Sequence, residues 1–307
     1  MTKSRQQPVK ARACGKAIIV GEHAVVYGAE AIAMPLMSLQ LDLELLNKQS
    51  MIAASKRPQK VSEQLRQVIA HAYEMLELDI PKYDIHCQSQ IQIGAGLGSS
   101  AALCIALLRA ICKSEHIDLS LAQLLTIATT LEAHFHGKSS GLDIAVVGLE
   151  KIIAFERDKA PQILELHPHS YEKIRFALID SGVRASTSSM IQTAAPFFKG
   201  AKGSTHIDMF NHLALEVRGA LELYNFKQLA SALNESAQLL DAAGVVTNRL
   251  SEIMLELNKL NIPASKPTGA GGGGFILALL DPNNPKMLDK IRNKFQGNTV
   301  IEVGLRR

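Results

Sequence analysis

The stretch Gly94-Ala-Gly-Leu-Gly-Ser-Ser100 constrains the fold more than any other part of this chain. Ahead of it, residues 83–93 read as extended, with Ile91 and Ile93 alternating with polar neighbours. Behind it, residues 101–116 have helical spacing, with Leu103, Leu107, Ala110 and Ile111 on one face. A glycine turn between a strand and a helix start gathers backbone N–H groups and the positive end of the helix dipole, which suits a phosphate group. Gly94, Gly96 and Gly98 permit close backbone approach, and the hydroxyls of Ser99 and Ser100 are candidates to hold phosphate or Mg²⁺. No Gly-Lys-[Ser/Thr] follows, so this is not a Walker A loop. A turn with no ligand would have the same outline.

The rest of the pattern is mixed. Residues 17–20 read as a short buried strand and residues 31–45 as another, with Leu39, Leu41, Leu43 and Leu45 alternating. Helical spacing runs over 62–78, and Ser120 with Gln123 forms a capping-box start for a helix that reaches Glu132. Strands are expected at 151–156 and 174–180. Three helices follow at 207–224, 226–243 and 246–260, then a strand at 275–280, a helix at 285–295 and a strand at 299–303. Strands and helices in both halves point to an α+β chain. Its 307 residues suggest two domains at roughly 100–200 residues each. The His- and Pro-rich stretch 161–171 marks the boundary, giving domains 1–170 and 171–307.

Two further segments stand out. Thr268-Gly-Ala-Gly-Gly-Gly-Gly274 formally matches G-x-G-x-x-G, but the dinucleotide fingerprint needs a strand before it and a helix after it. Here polar Ser265-Lys-Pro-Thr268 precedes and the apolar run from Phe275 follows, so that fingerprint is rejected. Such glycine density is costly in chain entropy unless backbone must approach something closely. In Lys16 to Gly28, a cation, a carboxylate and an imidazole (Lys16, Glu22, His23) are grouped among apolar residues at a strand end, as a polar-substrate site would be.

These three segments, in this order, resemble the GHMP small-molecule kinases, over residues 12 to 280. The resemblance implies a fold: an N-terminal domain like the second domain of ribosomal protein S5 and a ferredoxin-like C-terminal domain. It also implies an activity. Gly21-Glu-His-Ala-Val-Val-Tyr-Gly28 differs from the stretch after Gly-Glu-His in galactose-specific members, and points to transfer of the ATP γ-phosphoryl group to the C5 hydroxyl of (R)-mevalonate. Asp143, in Ser139-Ser-Gly-Leu-Asp143, matches the catalytic aspartate and Lys16 the lysine beside it. Ser100 and Glu132 match the Mg²⁺ ligands. Glu22 and His23 match the substrate-facing pair, and Arg184 a basic residue at the substrate carboxylate, with Ser186 and Thr187 as further donors. Gly94, Ala95, Gly96, Leu97, Gly98, Ser99 and Ser100, with Gly269 and Ala270 from the second domain, would contact the nucleotide; the adenine pocket is sought near Asn47–Ser50.

Taken without the resemblance, Asp143 reads as a helix N-cap and Glu132 as a solvated helix face. The chain departs from the family pattern at Gln92, where proline is usual, and at Phe275, where cysteine is common. Two other readings stay open: a kinase for another small alcohol or for phosphomevalonate, and a non-catalytic nucleotide-binding regulator.

Several classes are excluded by composition. Lys+Arg 33 against Asp+Glu 29 gives a net charge of only +4 without a basic run, and aromatics are 5%, which argues against a nucleic-acid partner. The uncharged stretch 85–108 carries Gln, Gly and Ser in its first half and does not read as a membrane span. The apolar stretch after the basic start is broken by Glu22 and His23, so no signal peptide is expected. Cys14, Cys87, Cys104 and Cys112 show no C-x-x-C pair, as buried thiols of a cytoplasmic protein would. His134 and His136 beside Glu132 lack further ligands for zinc. A homodimer is expected from the resemblance.

Overall fold

The structure is a computed structural model that describes residues 8–47, 62–79, 83–136 and 140–306. Two long strands open the chain, β1 (Val9–Val20) and β2 (Ala31–Asn47). The alternating leucines of β2 behave as their spacing predicts: Leu39, Leu41, Leu43 and Leu45 are all buried. β1 starts eight residues earlier than its apolar run, because its first part alternates with Lys10 and Arg12. These pair with Glu44 (2.7 Å) and Asp42 (2.9 Å) of β2. Strand β3 (Tyr83–Ser89) runs antiparallel to the far half of β2, with Leu41 opposite Ser89. β4 (Ile153–Phe155) pairs with the near half, Ala31 opposite Phe155, and β5 (Gln162–Ile163) pairs with β4. The sheet order is β1-β2-β4-β5, with β3 also on β2. β3 ends at Ser89 and not at Ile93, because the Ser89 hydroxyl bonds both the N–H and the carbonyl of Ile91 at 3.0 Å and bends the chain.

The chain groups into two compact units that interleave along the sequence. One comprises Met1–Gly15, Met37–Gln92 and Gly98–Leu149; the other comprises Lys16–Leu36, Ile93–Leu97 and Glu150–Arg307. The first unit contains helices α1 (Glu63–Met75), α2 (Ser99–Glu115), α3 (Leu121–His136) and α4 (Leu142–Leu149). α2 buries Ala102, Ile105, Leu108 and Ile111 among others and packs against α3 and α4. The capping box at α3 forms: Ser120 N–H donates to Gln123 Oε1 at 2.9 Å and Gln123 N–H to Ser120 Oγ at 3.3 Å.

The second unit adds α5 (Pro168–Lys173), β6 (Arg175–Asp180), α6 (Thr187–Lys199), α7 (Gly203–Glu222), α8 (Phe226–Ala242), α9 (Asn248–Lys259), β7 (Ala264–Thr268), β8 (Phe275–Leu280), α10 (Met287–Lys294) and β9 (Val300–Gly304). Its sheet runs β7-β8-β6-β9 with every neighbour antiparallel, which is the ferredoxin-like order. One face of that sheet (Ala177, Ile179, Ile276, Ala278) packs on Leu250, Ile253 and Leu257 of α9 and Ile291 of α10.

Four elements of this unit escape the sequence pattern: β5, α5, α6 and β7. α6 opens on Thr-Ser-Ser and contains Pro196, which blurs its periodicity; its start is nonetheless fixed by Ser186, whose Oγ accepts the Ser189 N–H at 3.1 Å. β7 carries Lys266 and Pro267 and looks like a loop. It is an edge strand, where proline is tolerated. The glycine loop 269–274 therefore joins two antiparallel strands, with Thr268 opposite Phe275. A strand does precede it, contrary to expectation, while the strand after it upholds the rejection of a dinucleotide fingerprint. Phe275 is fully buried in β8.

Candidate active site

In the second unit, the end of β1 holds the first glycine loop. The Lys16 N–H donates to Leu97 O, and Lys16 Nζ donates to Gly96 O, both at 3.0 Å, with Lys16 buried. Ala95 and Leu97 face inward at 1% exposure, and Gly94 opens the turn. The second glycine loop packs against the first. Gly96 has φ +80°, and a Cβ there would stand 2.9 Å from Thr268 O. Only glycine suits both demands. Thr268 Oγ1 accepts the Ile18 N–H at 2.8 Å and donates to Ile18 O at 3.1 Å, tying the hairpin to β1. Gly274 N–H donates to Val183 O (2.8 Å), and Ser181 N–H donates to Gly274 O (2.9 Å).

Glu22 and His23 sit in the turn after β1. His23 Nε2 donates to the Ala270 carbonyl at 2.8 Å, which selects the Nε2–H tautomer. Burial pushes the His23 pKa below its ordinary value, and the bond to Ala270 opposes this in part. Glu22 forms a fully buried ion pair with Lys266 of β7, whose Nζ also donates to Pro267 O at 2.7 Å. Burial pushes Glu22 up and Lys266 down, while each partner's charge works against the shift; Lys16 adds a smaller pull that lowers both. Glu22 Oε2 is buried without a hydrogen-bond partner. Lys266 escapes a sequence reading because a lysine between Ser265 and Pro267 looks like a loop charge.

At the end of β6, the Arg184 guanidinium grips Asp180 with a two-pronged pair, Nη1 to Oδ1 at 2.7 Å and Nη2 to Oδ2 at 2.8 Å. The fork expected for a substrate carboxylate thus already holds a protein carboxylate. Ser186 caps α6, and Thr187 is its first residue.

The first unit carries the remaining candidates. Gly98, with φ +75°, precedes α2, whose first turn contains Ser99 and Ser100 and has no side-chain cap. Such a helix start attracts anions. Ser100 Oγ donates to Glu132 Oε1 at 3.2 Å, and Glu132 is buried at 2% exposure, so it is not the solvated helix face its neighbours suggest. A hydroxyl and one carboxylate are hard oxygen donors. With phosphate and water oxygens they fit the octahedral preference of Mg²⁺. Cys104, one turn along α2, is pushed far up by burial and then by the charge of Glu132. Asp143 is the half-buried second residue of α4, in its first turn and not ahead of it, so it is not the cap; Ser140 Oγ accepts the Leu142 N–H at 3.3 Å. His134 contacts His71 edge-on, with ring centroids 4.7 Å apart. Among the described residues no three His, Cys, Asp or Glu side chains cluster as a metal site. The His136 side chain and the Asn47–Ser50 adenine region lie outside the described residues, apart from the Asn47 backbone.

Comparison with known proteins gives the class. The family described as GHMP kinases N terminal domain matches residues 63–151, and that described as GHMP kinases C terminal matches residues 217–297. The chain belongs to the GHMP kinases, ATP-dependent enzymes. Within that class, mevalonate kinases are among the proteins similar to it over nearly the whole chain. That of Archaeoglobus fulgidus is 30% identical over 90% of this chain and 94% of the relative, and that of Pyrococcus furiosus is 25% identical over 92% of each. The crystal structure of the Methanococcus jannaschii mevalonate kinase superposes with TM-score 0.81 at 21% identity, over 99% of this chain and 100% of the other. The structure of the L. major mevalonate kinase in complex with R-mevalonate superposes with TM-score 0.79 at 19% identity, over 97% and 98%.

Proposed function

We propose that this GHMP kinase transfers the γ-phosphoryl group of ATP to the C5 hydroxyl of (R)-mevalonate, giving 5-phosphomevalonate and ADP. The observation that carries the reading is the direct bond between His23 and Ala270, 247 positions apart. It ties the turn whose sequence distinguishes the acceptor to a glycine loop suited to phosphates. The mevalonate kinases named above, alike over nine-tenths of the chain, supply the acceptor.

In this reading the phosphates lie against the backbone of residues 94–98, the first turn of α2 with Ser99 and Ser100, and Gly269 and Ala270. The C5 oxygen attacks the γ-phosphorus, the bond to ADP breaks, and the hydroxyl proton passes to Asp143. Phosphoryl transfer passes through a loose transition state, so positioning and charge stabilisation dominate and the proton moves late. Lys16, anchored at the Gly96 carbonyl, stabilises charge on the transferring group. Ser100 and Glu132 would hold Mg²⁺, which would neutralise charge on the ATP oxygens. Glu22, His23 and Thr187 line the acceptor, and Arg184 meets its carboxylate. Four cysteines without a disulfide support a reducing compartment, the cytoplasm. Among the described residues no helix is long and apolar enough to cross a membrane.

The test is ADP release from ATP and Mg²⁺ with (R)-mevalonate, phosphomevalonate, homoserine and galactose in parallel, with Asp143→Asn as control. Turnover of mevalonate alone, lost in Asp143→Asn, is expected. Turnover of another alcohol instead would overturn the acceptor and leave the chemistry. Nucleotide binding without any turnover would favour a regulator.

A further inference from the structure

Asp180 opens the stretch Asp180-Ser-Gly-Val-Arg184 and has no role in the reading of that stretch, yet it is the residue to which Arg184 is bound. It ends β6, where its N–H donates to Thr299 O at 2.9 Å and its carbonyl accepts from Asn298 Nδ2 at 2.7 Å. It lies opposite Phe275 of β8 and is 7% exposed. These bonds fix the Asp180 backbone at the strand end, and burial limits where its carboxylate can go. That carboxylate accepts the two bonds from Arg184 and another from the Gly182 N–H at 3.0 Å. Arg184 Nη1 also donates to Val183 O at 2.9 Å, so the guanidinium is gripped both from the sheet end and from its own turn.

We infer that Asp180 is a positioning residue for acceptor binding: it locks the Arg184 guanidinium in one plane so that the carboxylate of the acceptor meets an arginine already aimed. The inference rests on the assignment of Arg184 to that carboxylate. Two effects of Asp180 oppose each other. Its negative charge weakens the pull of Arg184 on an anion, while the paired bonds remove rotamer freedom that a loose arginine would lose on binding. The geometry favours the second effect. Two bonds of 2.7 and 2.8 Å to a buried acceptor fix the guanidinium plane, while the Arg184 side chain remains about a third exposed, 35%, toward solvent. The same carboxylate shapes the Gly182 turn, whose next residue accepts the Gly274 N–H, so the acceptor's arginine and the glycine loop are set from one point.

The experiment compares Asp180→Asn, Arg184→Lys and Arg184→Gln in steady-state kinetics with mevalonate and ATP varied separately. Asparagine keeps an oxygen for the Gly182 N–H but replaces one carboxylate oxygen by an amide that cannot accept from Nη2. Asp180→Asn is expected to raise KM for mevalonate about tenfold, with kcat within about twofold and KM for ATP unchanged. Arg184→Lys keeps the charge but cannot form the fork, and is expected to show the same rise even if Asp180→Asn fails to fold. An unchanged or lowered mevalonate KM in Asp180→Asn overturns the inference, as does an unchanged KM in Arg184→Lys. A rise in Arg184→Gln alone would leave the reading of Arg184 standing and remove the role of Asp180. No rise in Arg184→Gln would remove both.

Discussion

A Cβ built on Gly269 would stand 2.8 Å from both the Cα and the carbonyl oxygen of Gly96, so the two glycine loops touch through bare backbone. Gly269 also has φ +89°. Gly269→Ala is expected to cost more than about 1 kcal/mol of stability and to raise KM for ATP, because backbone must shift on one side of the contact. Gly297→Ala separates the two causes. Gly297 has φ +94° but nothing within 4 Å of its Cβ position, so its variant should lose stability without changing KM. Urea unfolding and ATP titration of both variants check this; equal KM values would show that the loop contact is dispensable.

The buried pair of Glu22 and Lys266 leads to a stability prediction with an internal control. Lys266→Met strands the Glu22 carboxylate in a fully buried site and should destabilise by about 3–5 kcal/mol. The double variant Glu22→Gln, Lys266→Met removes both charges and should recover most of that loss. Chemical denaturation of the three variants measures it. A double variant no more stable than the single one would mean that packing, and not charge, holds this turn.

His23 predicts a pH dependence with a definite sign. Burial lowers its pKa in the folded chain, so the unfolded chain binds the proton more readily. Its contribution to stability is therefore complete above the ordinary histidine value of 6.5 and is lost as the pH falls below it. The midpoint of thermal unfolding should fall on acidification, with a shallower fall in His23→Gln. Parallel profiles in the two proteins would refute the assignment.

The contact of Ser100 with Glu132 makes a prediction about metal. Glu132→Gln keeps the shape but removes the charge, and should raise the Mg²⁺ concentration for half-maximal activity by about tenfold or more. Activity measured across a Mg²⁺ titration at fixed ATP decides it. An unchanged titration would place the metal elsewhere.

Much of this architecture is legible in the residues, and the exceptions have physical causes. The helix of α2, the capping box of α3 and the alternation in the second half of β2 follow from local pattern, although α2 buries residues on more than the one face its leucines suggest and leaves Leu103 only partly buried. β7 does not, since Lys266 and Pro267 are buried by tertiary packing that no local pattern announces. The pairing of Ser100 with Glu132 was available from likeness to a family, whereas their spacing of 32 residues alone carries no signal. Asp180 heads the stretch that carries Arg184, but its role is not legible there: a single carboxylate at a strand end is common, and only the pairing with Arg184 gives it meaning.

The order of strands in the second sheet has a consequence for how the protein is made. β6 lies between β8 and β9, and both neighbours are encoded far downstream of it. As the chain leaves the ribosome, the apolar run Phe176-Ala-Leu-Ile179 therefore emerges with both of its edges unpaired, and stays so through the synthesis of four helices. Thr268 reaches Ile18, 250 positions earlier, only after all the intervening helices have been made. Until β8 and β9 are made, both edges of β6 are open to unwanted pairing, and the yield of folded protein is expected to rise with chaperones that shield strand edges.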